Sequence, residues 1–253
     1  EKRSLLQNLT EMWRMQSYRR ILLSGLLRTP SGLMNLLQMT VLSYYFGNNG
    51  RTPYVHYMLL LGIPAFLGQL IAAGVAPKLA DKHGAATTFA QANVFAGLAL
   101  LAAFALFLCR PQQLTQALPF TLLILLLFCN MFCCGLVNTV QSILIADAAD
   151  LTEKESGIRR DGIFVSGQSL LIKLSTGVSA LLQGLVFAIS GFSGTAVRQI
   201  NRALYAGADF ATDPSFATPR FAMFFLFLCL PGIAYLLSAL PYRKGRNPHK
   251  APV

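Results

Sequence analysis

The sequence predicts an all-α, polytopic membrane protein of six transmembrane helices. Three observations carry that class. Hydrophobic residues make up 54% of the chain and charged residues only 12%, about half the charge of an ordinary soluble domain. Six apolar segments, roughly 21–46, 54–76, 87–108, 120–146, 162–190 and 220–240, reach the ~20 residues a helix needs to cross a bilayer. None shows the period-two alternation of barrel strands. Third, the basic residues gather unequally in the connections. Of the 21 Lys and Arg residues, 14 fall on one side of the predicted spans and 5 on the other. By the positive-inside rule the richer side, which holds both termini, is cytoplasmic. The net charge of +11 is dispersed over these connections, so no nucleic-acid partner is expected.

In order along the chain, residues 1–20 place Leu5, Leu9, Met12 and Trp13 on one helical face and basic residues elsewhere. They predict a cytoplasmic linker that lies on the membrane as an interfacial amphipathic helix. Residues 21–242 form the bundle. Span one is followed by a tight outer turn at 48–53, flanked by Tyr44, Tyr45, Tyr54 and Tyr57 as an interfacial belt. The inner loop PKLADKHGA separates spans two and three, and a short outer loop, 110–119, separates three and four. A charged inner loop, DAADLTEKESGIRRD at 147–161, precedes span five. The longest connection, 191–219, is rich in Gly, Ala and Thr and predicts irregular structure. Span six leads to a cytoplasmic tail, 243–253.

Polar residues inside the spans are the candidates for function. In span five, Gly162, Ser166, Ser169, Lys173, Gly177, Ala180 and Gly184 form a small or polar stripe, opposite Phe164, Leu171, Val178, Leu182 and Leu185. Small stripes favour close helix approach, so Lys173 is expected to point into the bundle, about 16 Å deep. A lipid-facing Lys there costs at least about 3 kcal/mol. A structural ion pair is the alternative to a functional role, but no acidic residue lies inside a span. In span four Asn130, Cys134, Asn138 and Gln141 form a second stripe, open to two readings: hydrogen bonds between helices, or a hydrated pathway. Arg28, Asn35 and Gln38 in span one are weaker signals, since Arg28 is near enough to the interface to snorkel. The five cysteines lack His or carboxylate neighbours at zinc spacing, so no metal site is expected. His56, His83 and His249 belong to separate connections, and neither HExxH nor GxSxG occurs, so no enzyme and no catalytic residue is expected.

Four stretches resemble the glycoside–pentoside–hexuronide:cation symporters, the melibiose permease group of the major facilitator superfamily. IADAADLTEKESGIRRDGIF at 145–164 resembles that family's inner loop between helices ten and eleven, and the lysine of SLLIKLSTG resembles its helix-eleven lysine. LSYYFGNNG resembles the outer end of helix seven, and PKLADKHGA a degraded inner-loop signature that keeps Asp81 and Gly84. The resemblance covers essentially the whole chain but matches only the C-terminal six helices of a twelve-helix transporter. It implies Na⁺- or H⁺-coupled uptake of a sugar or glycoside by alternating access, in the cell (inner) membrane, with no cofactor. The coupling cation would be held mainly by an N-terminal half outside this chain.

Carried onto these residues, the resemblance implies substrate binding or coupling by Lys173, Asn138, Gln141, Asn130 and Ser169. It implies a cytoplasmic gate of Asp81, Asp147, Asp150, Glu153, Arg159 and Arg160; a plain solvated charge run is the alternative for that loop. The only Trp, Trp13, lies outside the spans, so sugar stacking would fall to Phe or Tyr. The partners implied are a small sugar, the lipid bilayer, and an N-terminal six-helix half. The alternative architecture is a self-contained six-span protein that pairs with a second copy to form a carrier or pore.

Overall fold

The computed structural model describes residue 13 and residues 15–50, 53–157, 161–189 and 194–242. Among them every regular element is helical. The elements are α1 (Gln16–Leu27), α2 (Leu33–Val41), α3 (Val55–His83), α4 (Ala85–Cys109), α5 (Ala117–Ser156), α6 (Asp161–Ile189), α7 (Gly194–Tyr205), α8 (Ala217–Phe224) and α9 (Leu230–Ser238). Five stretches have the length and apolarity to cross a membrane: Val55–His83, Ala85–Cys109, Ala117–Lys154, Phe164–Ile189 and Pro214–Tyr242. The last is α8 and α9 joined by a π turn, Phe225–Cys229. Pro231 explains the turn, because it has no N–H to continue the α ladder.

The first segment departs from the expected single span. α1 ends after 12 residues, a 3₁₀ turn occupies Thr29–Gly32, and α2 then continues into a π turn at Leu42–Phe46. Pro30 is the cause. It cannot donate to the carbonyl of Leu26, and the Thr29 hydroxyl takes over that acceptor at 2.8 Å. Thr29's own carbonyl is then satisfied from α6, by the hydroxyls of Ser175 at 2.8 Å and Ser179 at 3.0 Å. A span can break at such a site only where neighbouring helices repair its backbone.

Other boundaries also move. PKLADKHGA is not a loop: α3 runs through His83, and Gly84 alone, at φ +86°, joins it to α4. The charged inner loop is largely helix, since α5 continues to Ser156 and carries Asp147, Asp150 and Glu153. The connection expected to be irregular contains α7, which buries Ile200 and Leu204 and holds the π turn after α2 through the Tyr44 hydroxyl, 3.0 Å from Asn201 Oδ1. Arg220, at the start of the sixth predicted span, is 4% exposed and donates to the carbonyls of Phe210 and Ala211 at 2.9 and 2.7 Å. α1 begins five residues before the expected span; residues 1–12 of the interfacial helix and the tail at 243–253 lie outside the described residues.

Packing follows residue size. α5 lies between α3 and α4, and α4 also packs on α9. α3 turns a row of small residues, Gly68, Ala72, Ala76 and Ala80, toward α5. Where α4 crosses α9, a Cβ on Gly97 would lie 2.7 Å from the Gly232 carbonyl oxygen, so only glycine permits that approach. A polar thread crosses the same region: Ser24 of α1 donates to Ser238 O at 2.6 Å, and Ser238 donates to Asn93 Oδ1 at 2.8 Å. The main core mixes aliphatic side chains with a cluster of aromatics, in which Phe107 stacks on Phe224 at 4.2 Å. By contrast α3 and α6 are rim helices, only 11% of whose apolar windows are buried, against 61% for the Pro214–Tyr242 segment.

Candidate functional site

A chamber of about 580 Å³ opens beside the break in the first segment. Its polar lining comes from Arg28 and Ser31 at the break, Asn35 of α2, Gln69 of α3, Asn138 and Gln141 of α5, and Gln168 and Ser175 of α6. Ending α1 at Pro30 is what delivers Arg28: the chain turns out of the helix axis, and the guanidinium reaches across to α5. Its Nη2 donates to Gln141 Oε1 at 2.6 Å, a charge-assisted bond on a buried amide. Gly32 brings the break hard against α6, where an added Cβ would lie 2.7 Å from Ser179 Oγ. Tyr235 of α9 closes one wall, its hydroxyl 3.0 Å from Cys134 Sγ. Among the described residues no lining side chain is a carboxylate, and Arg28 supplies the formal charge in the wall.

Of the residues expected from sequence, Asn138 and Gln141 line the chamber and Asn130 does not. Eleven residues return an α-helix to nearly the same face, but about 16 Å further along. At Asn130's level α4 closes over α5. The Asn130 side chain is fully buried there, donating to Ala96 O at 3.1 Å and receiving Cys134 Sγ at 3.8 Å. The α5 stripe is therefore two things in sequence: a tie between helices at one level, a cavity wall at the other.

The orientation expected for α6 is corrected. Lys173 and Ser169 are exposed, and so are Gly162, Gly177 and Gly184, whose Cβ positions would meet nothing within 4 Å. The opposite, bulky face packs instead along the first half of the helix, while Leu185 beyond it is exposed. Phe164 is 1% exposed beneath the ring of Tyr18, whose hydroxyl donates to Phe164 O at 2.8 Å, and Leu171 is 8% exposed. Two forces turn the helix this way: the apolar side chains fill the space beside α1, and Ser175 and Ser179 serve the Thr29 carbonyl freed by the break. The small stripe with Lys173 is left on the open side of this bundle.

Among the gate residues, Asp81 ends α3 and Asp147, Asp150 and Glu153 ride the last turns of α5, at the same end of the bundle by the antiparallel order of α3, α4 and α5. Asp81 and Asp150 are exposed, while Asp147 and Glu153 are half-buried. Arg159 and Arg160 lie outside the described residues. Sequence reading passed over Gln69, Gln168 and Ser175 and undervalued Arg28. The available signal was the run LLRTPSGL, a proline inside an apolar segment with a cation two residues before it. Among the described residues no cluster of three or more His, Cys, Asp or Glu side chains is placed to hold a metal.

Five stretches have the length and composition of membrane-crossing helices, and the polar chamber lies among them. The chain belongs to the MFS/sugar transport protein family, whose model matches residues 1–244. That is a family of transporters, not enzymes. A relative in Pseudescherichia vulneris, named as an uncharacterized 29.9 kDa protein in the crtE 3′ region, is 26% identical over 167 residues, 66% of this chain. The match spans 56% of that relative's length. No solved structure matches the chain.

Proposed function

We propose that the chain is the C-terminal six-helix half of a secondary transporter of the melibiose permease kind, moving a sugar or glycoside with Na⁺ or H⁺ by alternating access. The observation that carries this reading is the chamber itself: polar side chains from the break, α2, α3, α5 and α6 converge on about 580 Å³ on the open side of an otherwise apolar bundle. In this reading the first segment crosses the membrane in spite of its break, as the sixth span. Both termini face the cytoplasm of a cell (inner) membrane. Broken helices at substrate depth are the common device of such transporters, because an interrupted ladder frees backbone groups and redirects side chains.

Each residue then has a task. Asn35, Gln69, Asn138 and Gln168 hydrogen-bond sugar hydroxyls; Gln141 orients Arg28. The coupling cation takes its carboxylates from a second six-helix half, since a hard cation needs oxygen ligands and none of the chamber's residues is acidic. Lys173 and Ser169, on the open face of α6, meet that half; there Lys173 is a countercharge to its carboxylates. Asp81, Asp147, Asp150 and Glu153, together with Arg159 and Arg160, exchange ion pairs across the two halves at the cytoplasmic end as access alternates.

The alternative architecture is two copies of a six-span chain forming one carrier. An immunoblot of native membranes against YRKGRNPHKAPV separates the two: a band near twice this mass supports the two-half chain, a band at this mass the paired copies. The transport reading itself is tested by solute counterflow in proteoliposomes of the native polypeptide, with Gln141→Ala as control. Labelled glycoside exchange that is reduced in the variant supports it; no exchange of any sugar refutes it.

A further inference from the structure

The first turns of α1 carry cations that nothing described in the bundle answers. Arg19 is exposed and Arg20 half-buried. Among the described residues neither has a carboxylate partner, and the first turn of α1 holds no acidic residue. α5 turns Ile145, Ala148 and Ala149 toward α1, so by helical register its Asp147 and Asp150 face elsewhere. Just before α1, Trp13 is 46% exposed. Met15 is fixed beside α5, its thioether accepting the Thr152 hydroxyl at 3.5 Å. An exposed Trp next to arginines is the combination that settles at a bilayer surface.

The far end of the described chain arrives at the same place. The turn Leu240–Tyr242 packs on α1 and α4. The Tyr242 ring lies 5.0 Å from Phe89 and joins the clusters on both sides, with Arg20 the foremost cation acting on its hydroxyl. The next residues in sequence are Arg243, Lys244 and Arg246, which chain steps of ~3.8 Å keep within reach of Arg19 and Arg20. Like charges brought together in this way repel unless an anion lies among them. Along α1 the surface then turns apolar. Arg19, Leu23 and Leu26 follow one ridge at four and three residues, with Leu23 half-buried and Leu26 37% exposed. A cationic head above an exposed apolar ridge, about 10 Å long, has the polarity profile of a phospholipid.

We propose that this surface binds an anionic phospholipid of the cytoplasmic leaflet. Its phosphate lies among Arg19, Arg20 and the cations that follow Tyr242, and an acyl chain runs along Leu23 and Leu26. The lipid ties the segment before α1 to the segment after α9, whatever solute the chamber takes.

Trp13 is the probe for the test. The native polypeptide is reconstituted in phosphatidylcholine vesicles, and dibrominated phosphatidylglycerol or dibrominated phosphatidylcholine is titrated in. Fluorescence quenching gives their relative association constants, and the part of the signal that Trp13→Phe removes isolates this residue. Phosphatidylglycerol should associate at least about five-fold more tightly, the factor that a single cation near a membrane surface contributes. Arg19→Gln with Arg20→Gln, and separately Arg243→Gln with Lys244→Gln, should each carry that ratio toward one. The second pair decides if the first fails to fold. Excess inorganic phosphate at matched ionic strength should leave the ratio unchanged; if it abolishes the preference, the surface takes a free anion and the lipid assignment falls. Equal quenching by the two lipids overturns the proposal, and the cations then answer carboxylates of another half or a second copy. Absence of quenching by either lipid places Trp13 away from the bilayer and overturns it as well.

Discussion

Asn130→Ala separates the two roles that one stripe on α5 combines. The Asn130 side chain is fully buried, with Nδ2 3.1 Å from Ala96 O and Oδ1 accepting the Cys134 thiol at 3.8 Å. Truncation removes an interhelical hydrogen bond, about 0.6–2 kcal/mol in a membrane bundle. It orphans little else: Ala96 O lies within α4's own ladder, and Cys134 retains Tyr235 at 3.0 Å. Adding a small void where the amide was, the loss is about 2 kcal/mol, or roughly 4–8 °C in Tm for a chain of this size. Thermal unfolding in detergent, followed by circular dichroism, reads the stability. Counterflow in proteoliposomes reads the KM, which should stay within about two-fold because Asn130 lies some 16 Å of helix from Gln141. An unchanged Tm with a lost solute response would refute this division and return Asn130 to the binding wall.

Other substitutions probe the supports of the site. Gly97→Leu should destabilise by at least about 1–3 kcal/mol through overpacking, seen as loss of monodisperse protein on size exclusion, since a Cβ there meets Gly232 O at 2.7 Å and Leu236 at 2.8 Å. Ser175→Ala or Ser179→Ala alone should cost little, because the other hydroxyl still serves the Thr29 carbonyl. The double variant should cost about 1–3 kcal/mol, the loss of both interhelical bonds to that carbonyl, and a strictly additive pair of small effects would argue against the repair. Lys173→Ala should leave stability unchanged to within about 0.5 kcal/mol, as for an exposed position, while coupled uptake by the native polypeptide falls; unchanged uptake removes Lys173 from the mechanism. At the outer end, Asp213 accepts from both the hydroxyl and the N–H of Ser215 at 2.7 and 2.8 Å, which holds its carboxyl below the usual carboxylate range. A depressed folded value means the cap is intact throughout the neutral range and is lost only as pH falls through that value. The protection of the Ser215 amide, its exchange relative to the intrinsic rate at each pH, should therefore stay constant down to about pH 4 and weaken below it; a loss of protection between pH 5 and 7 would contradict the bond.

How far the sequence could be read depended on whether a feature was local or relational. Apolar runs and charge asymmetry are local, and they were enough for an all-helical membrane bundle. Helix ends were less legible: composition marks Asp147 to Asp161 as a charged loop, yet nothing in AADLTEKES breaks a helix, so α5 carries on to Ser156. The direction of α6 was relational and was misread. Its two faces differ in size, and size alone permits either face to pack. What decides is a partner's unmet need, the Thr29 carbonyl, which exists only because of Pro30 in a different segment. The same proline accounts for the residue that sequence analysis underrated. In an unbroken helix Arg28 would be one more cation near an interface; with the ladder interrupted it becomes the charge in the chamber wall, bonded to Gln141 from a helix 113 residues away. A proline inside a predicted span is thus worth following outward, first to the hydroxyls that repair it, here Thr29, Ser175 and Ser179, and then to the side chain it redirects. Applied to LLRTPSGL, that route leads from composition to the chamber without passing through Lys173.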